Sequence, residues 1–238
     1  MFKRAWPANR SFRERQMKKW SSIIAIFVMG LLGSVSSAKA DTVTSIGTQH
    51  FTDGTKITTG AFGTAVAGQP APFNAFCGSD ISSNCSANWT FTYSLPGGDT
   101  ITGATLTLGI FDIDSAAAGS QIGSFTLNGT DDLTSQLNVV SEAANSANSF
   151  YNVLSLTIPS TFFADLQGGS ATFALTLSGP GLGILGTTLD NGAGLDFSTL
   201  DIASEPSTTG PTPELSTGLL LCTGLLGLAL ARMLLKQA

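Results

Sequence analysis

Positive charge is almost missing from the middle of this chain. Between Asp41 and Pro213 there is one Lys, Lys56, and no Arg, against fourteen Asp and Glu, so this stretch carries −13 where the whole chain carries −5. A surface that negative repels phosphate backbones and excludes nucleic acid as a partner. The same shortage removes any cationic clamp for phosphoryl or carboxylate substrates. Histidine is missing too, apart from His50, and a lone His at a strand end reads as a surface or satisfied core residue before a general base. No Gly-x-Ser-x-Gly elbow, P-loop or zinc-ligand spacing is present, which sets aside serine hydrolases, kinases and metalloproteases. Divalent cations are the natural partners of what remains.

Lys and Glu are too few in the same stretch to build amphipathic helices, and β-branched, aromatic and small polar residues take their place. These alternate. Trp89, Phe91 and Tyr93 share one face of 88–95, and Ala104, Leu106, Leu108 and Ile110 share one face of 101–114. Leu154, Leu156 and Ile158 do so in 149–158, as do Ala171, Phe173, Leu175 and Leu177 in 170–178. A period of two buries every second side chain, with Thr and Ser on the wet face. Shorter candidates are 42–51, 123–128 and 195–202, and a helical turn or two is expected at 160–167 after Pro159. Seven or more such segments divided by turn residues predict an all-β fold: an antiparallel two-sheet β-sandwich, jelly-roll-like, over residues 41–203. About 160 residues suffice for one buried core.

Both ends differ from this middle. Seven basic residues, from Lys3 to Lys19, precede an apolar run at 23–32, and Ala38 and Ala40 follow it. The run is shorter than the roughly 20 residues of a membrane span. This pattern predicts a signal peptide over 1–40, cut after Ala40, with Met17 as an alternative start. An uncleaved amino-terminal anchor is the competing reading. At the other end, 204–214 is Ser/Thr/Pro-rich and reads as a tether. The apolar run 215–235 would span about 30 Å as a helix, and Arg232 and Lys236 near its end place the short basic tail 236–238 on the cytoplasmic side.

Pro213-Glu214, the following Ser216-Thr217, the Leu/Gly-rich span and the terminal basic residues resemble the PEP-CTERM sorting tail. The resemblance covers about residues 211–238. It implies an exported protein of an exopolysaccharide-producing Gram-negative bacterium, processed by an exosortase-like membrane enzyme, held at the inner membrane at least transiently, and associated with exopolysaccharide or biofilm. Leu215 stands where that motif usually has a second Pro, and the usual terminal Arg cluster is thinned to Arg232 and Lys236. A permanent tail anchor is the alternative.

Of the three cysteines, Cys77 and Cys85 enclose a Gly/Ser/Asn loop. In an exported chain they predict a disulfide. Cys222 falls inside the apolar tail and reads as a small membrane residue. Asp112 and Asp114 stand two apart just beyond the Leu106–Leu108–Ile110 row. If the strand continued through them, both carboxylates would leave one face together, where calcium could bridge them; solvated acids at a strand end are the plainer alternative. Asp131-Asp132 and Asp190-Asn191-Gly192 are further oxygen-rich turns. Trp89, Phe91 and Tyr93 would stack on a sugar if they faced outward, but their alternation favours the core.

The expectation is an exported, non-enzymatic surface or extracellular-matrix protein with no catalytic residues, its sorting motif at Pro213 and Glu214, its disulfide at Cys77 and Cys85, and calcium as its one candidate cofactor. A calcium-dependent carbohydrate-binding module using Asp112 and Asp114 is the alternative. A polysaccharide-acting enzyme using paired carboxylates comes third.

Overall fold

The structure, a computed structural model, describes residues 40–182 and 188–207, with Gly224, Leu225 and Arg232 as isolated positions. The expected signal peptide up to residue 39, the sorting motif Pro213-Glu214, Cys222, the rest of the apolar span and the basic tail lie outside the described residues. Among the described residues no helix is long and apolar enough to cross a membrane.

Among the described residues ten strands follow one another: β1 (Ala40–Gly47), β2 (Thr55–Lys56), β3 (Phe76–Cys77), β4 (Ser86–Thr92), β5 (Asp99–Phe111), β6 (Ile122–Leu127), β7 (Asp131–Asp132), β8 (Phe150–Thr157), β9 (Ser170–Leu177) and β10 (Ala193–Pro206). They pair antiparallel into two sheets, β1-β10-β5-β8-β2 with β3 added on β10, and β4-β9-β6-β7. Leaving out β2 and β3 and keeping the equally short β7, so that eight strands are counted from one to eight, the orders are 1-8-3-6 and 2-7-4-5. That is the double Greek key of a jelly roll, so the sandwich expected from alternation is formed.

The period-two rows make the core. Leu106, Leu108 and Ile110 of β5, with Leu200 and Ile202 of β10, are fully buried. From the smaller sheet come Trp89, Phe91, Phe125 and Phe173, with Phe173 stacked at 6.0 Å on Trp89 and 5.7 Å on Phe125. Each such side chain contributes about 1.5–3 kcal/mol by leaving water. Tyr93 lies at the margin, its hydroxyl donating to the Leu166 carbonyl at 2.6 Å. Burial pushes its pKa up to about 12.

A second apolar cluster forms where the alternation predicts a wet face. Helix α1 (Thr59–Ala65) lays Phe62, with Val66 just beyond it, against Phe111 and Tyr151. These two face each other across β5 and β8, on the side opposite Leu108 and Ile110. Phe62 stacks on Phe111 at 5.1 Å. Charge patterning gives no sign of α1 because the helix is held by burial rather than by ion pairs. Helix α2 (Thr134–Ala144) was not expected either. Just ahead of it the Asp132 carboxylate accepts the Thr134 N–H at 2.9 Å. The expected turn at 160–167 is there as a 3₁₀ turn (Ser160–Phe162) followed by α3 (Phe163–Leu166).

Two boundaries move. β10 continues to Pro206, three residues into the expected tether, because β5 still pairs with it through Asp99. β1 already begins at Ala40, opposite Ser204.

Candidate functional site

A disulfide joins Cys77 to Cys85, as their spacing predicts. It closes a loop whose own backbone is tied, Ser79 N–H donating to the Ser83 carbonyl at 2.8 Å. Gly78 is required here: its φ is +69°, and a Cβ would meet the Cys85 nitrogen and the Ser83 carbonyl oxygen at 2.6 Å. The Asp190-Asn191-Gly192 turn clamps this loop to the sandwich. Asn191 N–H donates to Asn84 Oδ1 at 2.8 Å, Cys85 N–H donates to the Asn191 carbonyl at 2.8 Å, and Gly192 N–H donates to Asp80 Oδ1 at 2.8 Å. The Asn191 side chain, fully buried, donates to the Ile113 carbonyl and to Gln121 Oε1.

Beside the loop opens a cleft of about 750 Å³. Its described lining includes Thr59, Phe76, Ser79, Asp80, Ile81, Asp112, Asn148 and Ser149. Ile81 stands 89% exposed at the rim. Phe76 is half-buried and meets the Phe62 and Phe111 rings edge-on. The wall therefore combines hydroxyl, amide and carboxylate groups with an apolar patch held by the second cluster.

Asp112 enters this cleft by a route the sequence pattern does not show. The strand expected to run through Asp114 stops at Phe111, and Asp112 and Asp114 both turn left-handed, with φ of +65° and +55°. Period two fails there, so the shared face expected for the two carboxylates is not formed. Asp112 accepts the Ser149 N–H through Oδ1. Asp114, fully buried, accepts the Leu182 N–H through Oδ2 at 2.6 Å. Among the described residues no three His, Cys, Asp or Glu side chains gather for a metal. Burial pushes the Asp112 carboxyl up, and the charge of Asp80 adds to this, against the lowering by the Ser149 N–H.

Asp132, just ahead of α2, is held low by its Thr134 hydrogen bonds. Asp131 is pushed up by burial and then by Asp165. His50 is satisfied: its ring Nδ1 lies 2.6 Å from Oδ1 of the buried Asp196, and its backbone N–H donates to Oδ2 at 2.9 Å. Trp89 and Phe91 are buried in the core and offer no stacking platform.

Asp80, Phe76, Thr59, Asn148 and Ser149 of the cleft went unread in the sequence. They come from three separated segments brought together by strand pairing and by the packing of α1, and the one local hint is Ile81, an apolar residue in a polar disulfide loop.

No family model matches the chain, and no curated protein matches it either. Among solved structures the chain is similar to "CBM35 from Cellvibrio japonicus Abf62", at 12% identity and a TM-score of 0.33, over 67% of this chain and 92% of that one. It is also similar to dimeric latent PorU from Porphyromonas gingivalis, at 13% identity and a TM-score of 0.33. That match covers 76% of this chain and 15% of PorU.

Proposed function

We propose that this chain is an exported, non-enzymatic carbohydrate-binding β-sandwich, which holds extracellular polysaccharide in the cleft beside the Cys77–Cys85 loop. The observation that carries the reading is the cleft itself. Its volume, about 750 Å³, falls within the roughly 300–1,000 Å³ of ligand pockets. Its described wall sets the hydrogen-bonding groups of Thr59, Ser79, Asp80, Asp112, Asn148 and Ser149 around Phe76. A sugar presents the matching surface, hydroxyls at its edge and C–H groups on its ring face.

Binding rather than catalysis is favoured by where the titratable groups are committed. Oδ1 of Asp80 and Oδ1 of Asp112 each hold a backbone N–H, and the single His is engaged with Asp196. Export is supported by the disulfide, which suits an oxidising compartment, and by the PEP-CTERM-like tail. On this reading the tail delivers the sandwich to the cell surface through an exosortase-like enzyme, and exopolysaccharide is the partner met there.

The test is retardation of the full chain, in mild detergent, on native gels containing neutral, acidic or amino polysaccharides. At least one should retard it, and Thr59→Trp, which places a large ring at an exposed position on the cleft wall, should restore free migration. Free migration of the parent chain in all three gels would refute the proposal.

A further inference from the structure

We infer that the cleft selects a cationic saccharide, a sugar unit carrying a free primary ammonium group, through the second carboxylate oxygens of Asp112 and Asp80. This rests on the carbohydrate reading above and adds the chemistry of the ligand.

Asp112 is only 7% exposed, yet it lines the cleft. Its Oδ1 is used by the Ser149 N–H, and among the described residues its Oδ2 has no hydrogen-bond partner. That oxygen is the one left for the cleft that Asp112 lines. Asp80, only partly buried, likewise has Oδ1 taken by the Gly192 N–H and Oδ2 without a partner among the described residues. A buried carboxylate with one unused oxygen is costly unless something pairs with it. Nothing in the described chain does so. Lys56 lies over the Phe150 ring at 5.8 Å, His50 belongs to Asp196, and no Lys or Arg there reaches either carboxylate.

Two oxygens of one sign, held by fixed backbone donors, make an acceptor for N⁺–H groups. A divalent ion would need six to eight oxygens for calcium, and a cleft of this volume holds far more than an ion. An ammonium carried on a sugar ring uses both parts of the site, the carboxylates for the charge and Phe76 for the ring.

The experiment titrates the full chain in mild detergent, near neutral pH, with the tetramers of β-1,4-linked glucosamine and N-acetylglucosamine. The two differ at each unit by an ammonium group against a neutral amide. The amino tetramer should bind at least about tenfold more tightly, the scale of one charge-assisted hydrogen bond. Asp112→Asn keeps an acceptor for Ser149, suits the left-handed backbone and should erase that preference, so that the two tetramers then bind alike. Thr59→Trp should abolish both. Equal binding of the two tetramers would overturn the inference and leave the carbohydrate reading standing. A preference that survives Thr59→Trp would overturn it as well, since it would come from the diffuse negative surface. Binding of neither tetramer, with gel retardation by another polysaccharide intact, would overturn the inference alone; loss of both would sink the two together.

Discussion

The Tyr151 hydroxyl donates to Oδ2 of Asp196 at 2.8 Å, and both residues are fully buried although their strands are not neighbours. β5 runs between β8 and β10, and Gly109 lies beneath the bond. A Cβ at Gly109 would run into the Tyr151 hydroxyl and come within 2.5 Å of the Phe197 ring. The missing side chain is what lets Tyr151 cross a strand. Burial, and then Asp196, raise the Tyr151 pKa well above its ordinary value, so the hydroxyl keeps its proton and stays a donor.

Gly109→Ala is therefore expected to destabilise the sandwich by about 1–3 kcal/mol through overpacking. Tyr151→Phe should cost about 1–3 kcal/mol by leaving one oxygen of Asp196 short of a donor. The two act on one contact, so the double variant should lose less than the sum. Thermal unfolding of the four proteins checks this; strict additivity would contradict it.

The disulfide closes a short loop, with a sequence separation of 8. Its removal should cost about 2–3 kcal/mol. The loop also carries Ser79, Asp80 and Ile81 of the cleft. Cys77→Ser is expected to lower the melting temperature and to weaken saccharide binding even well below that temperature. Binding equal to the parent's would show that the loop does not shape the site.

Asp112 gives a pH dependence of definite sign. Its carboxyl is raised in the folded chain, so the unfolded state releases its proton first as pH rises. Stability from this residue is greatest below the ordinary carboxylate range and falls as pH climbs through that range to the folded value. Asp112→Asn should therefore melt higher than the parent near neutral pH, with the difference closing in acid. Asp132 is shifted the other way, so its contribution is present above the ordinary carboxylate range and lost as pH falls. Asp132→Asn should melt lower near neutral pH, again converging in acid. Melting curves across pH that show the same sign for both variants would contradict the assignment.

What the sequence made legible follows from periodicity and proximity. The rows of β4, β5, β8 and β9 are visible because alternation is local, and the Cys77–Cys85 pair is visible because its two ends lie close in the chain. Asp112 and Asp114 were misplaced because a left-handed residue ends a strand without any apolar residue to mark the change. The second cluster was invisible because Phe111 and Tyr151 continue alternations whose other face is wet elsewhere. α1, remote in sequence, turns that patch dry together with Phe76. The cleft depends on the same remote packing, and so none of its wall apart from Asp112 stood out.

The central claim is that saccharide sits against the disulfide loop and the start of β8. Hydrogen–deuterium exchange of the full chain in detergent, with and without saturating glucosamine tetramer, tests it most directly. The account predicts protection of the amides of Ser79, Asp80, Ile81, Asn148 and Ser149, with the far ends of β4 and β9 unchanged. Protection confined to the Thr-rich outer face of the β4-β9-β6 sheet, or no protection under binding conditions, would contradict it.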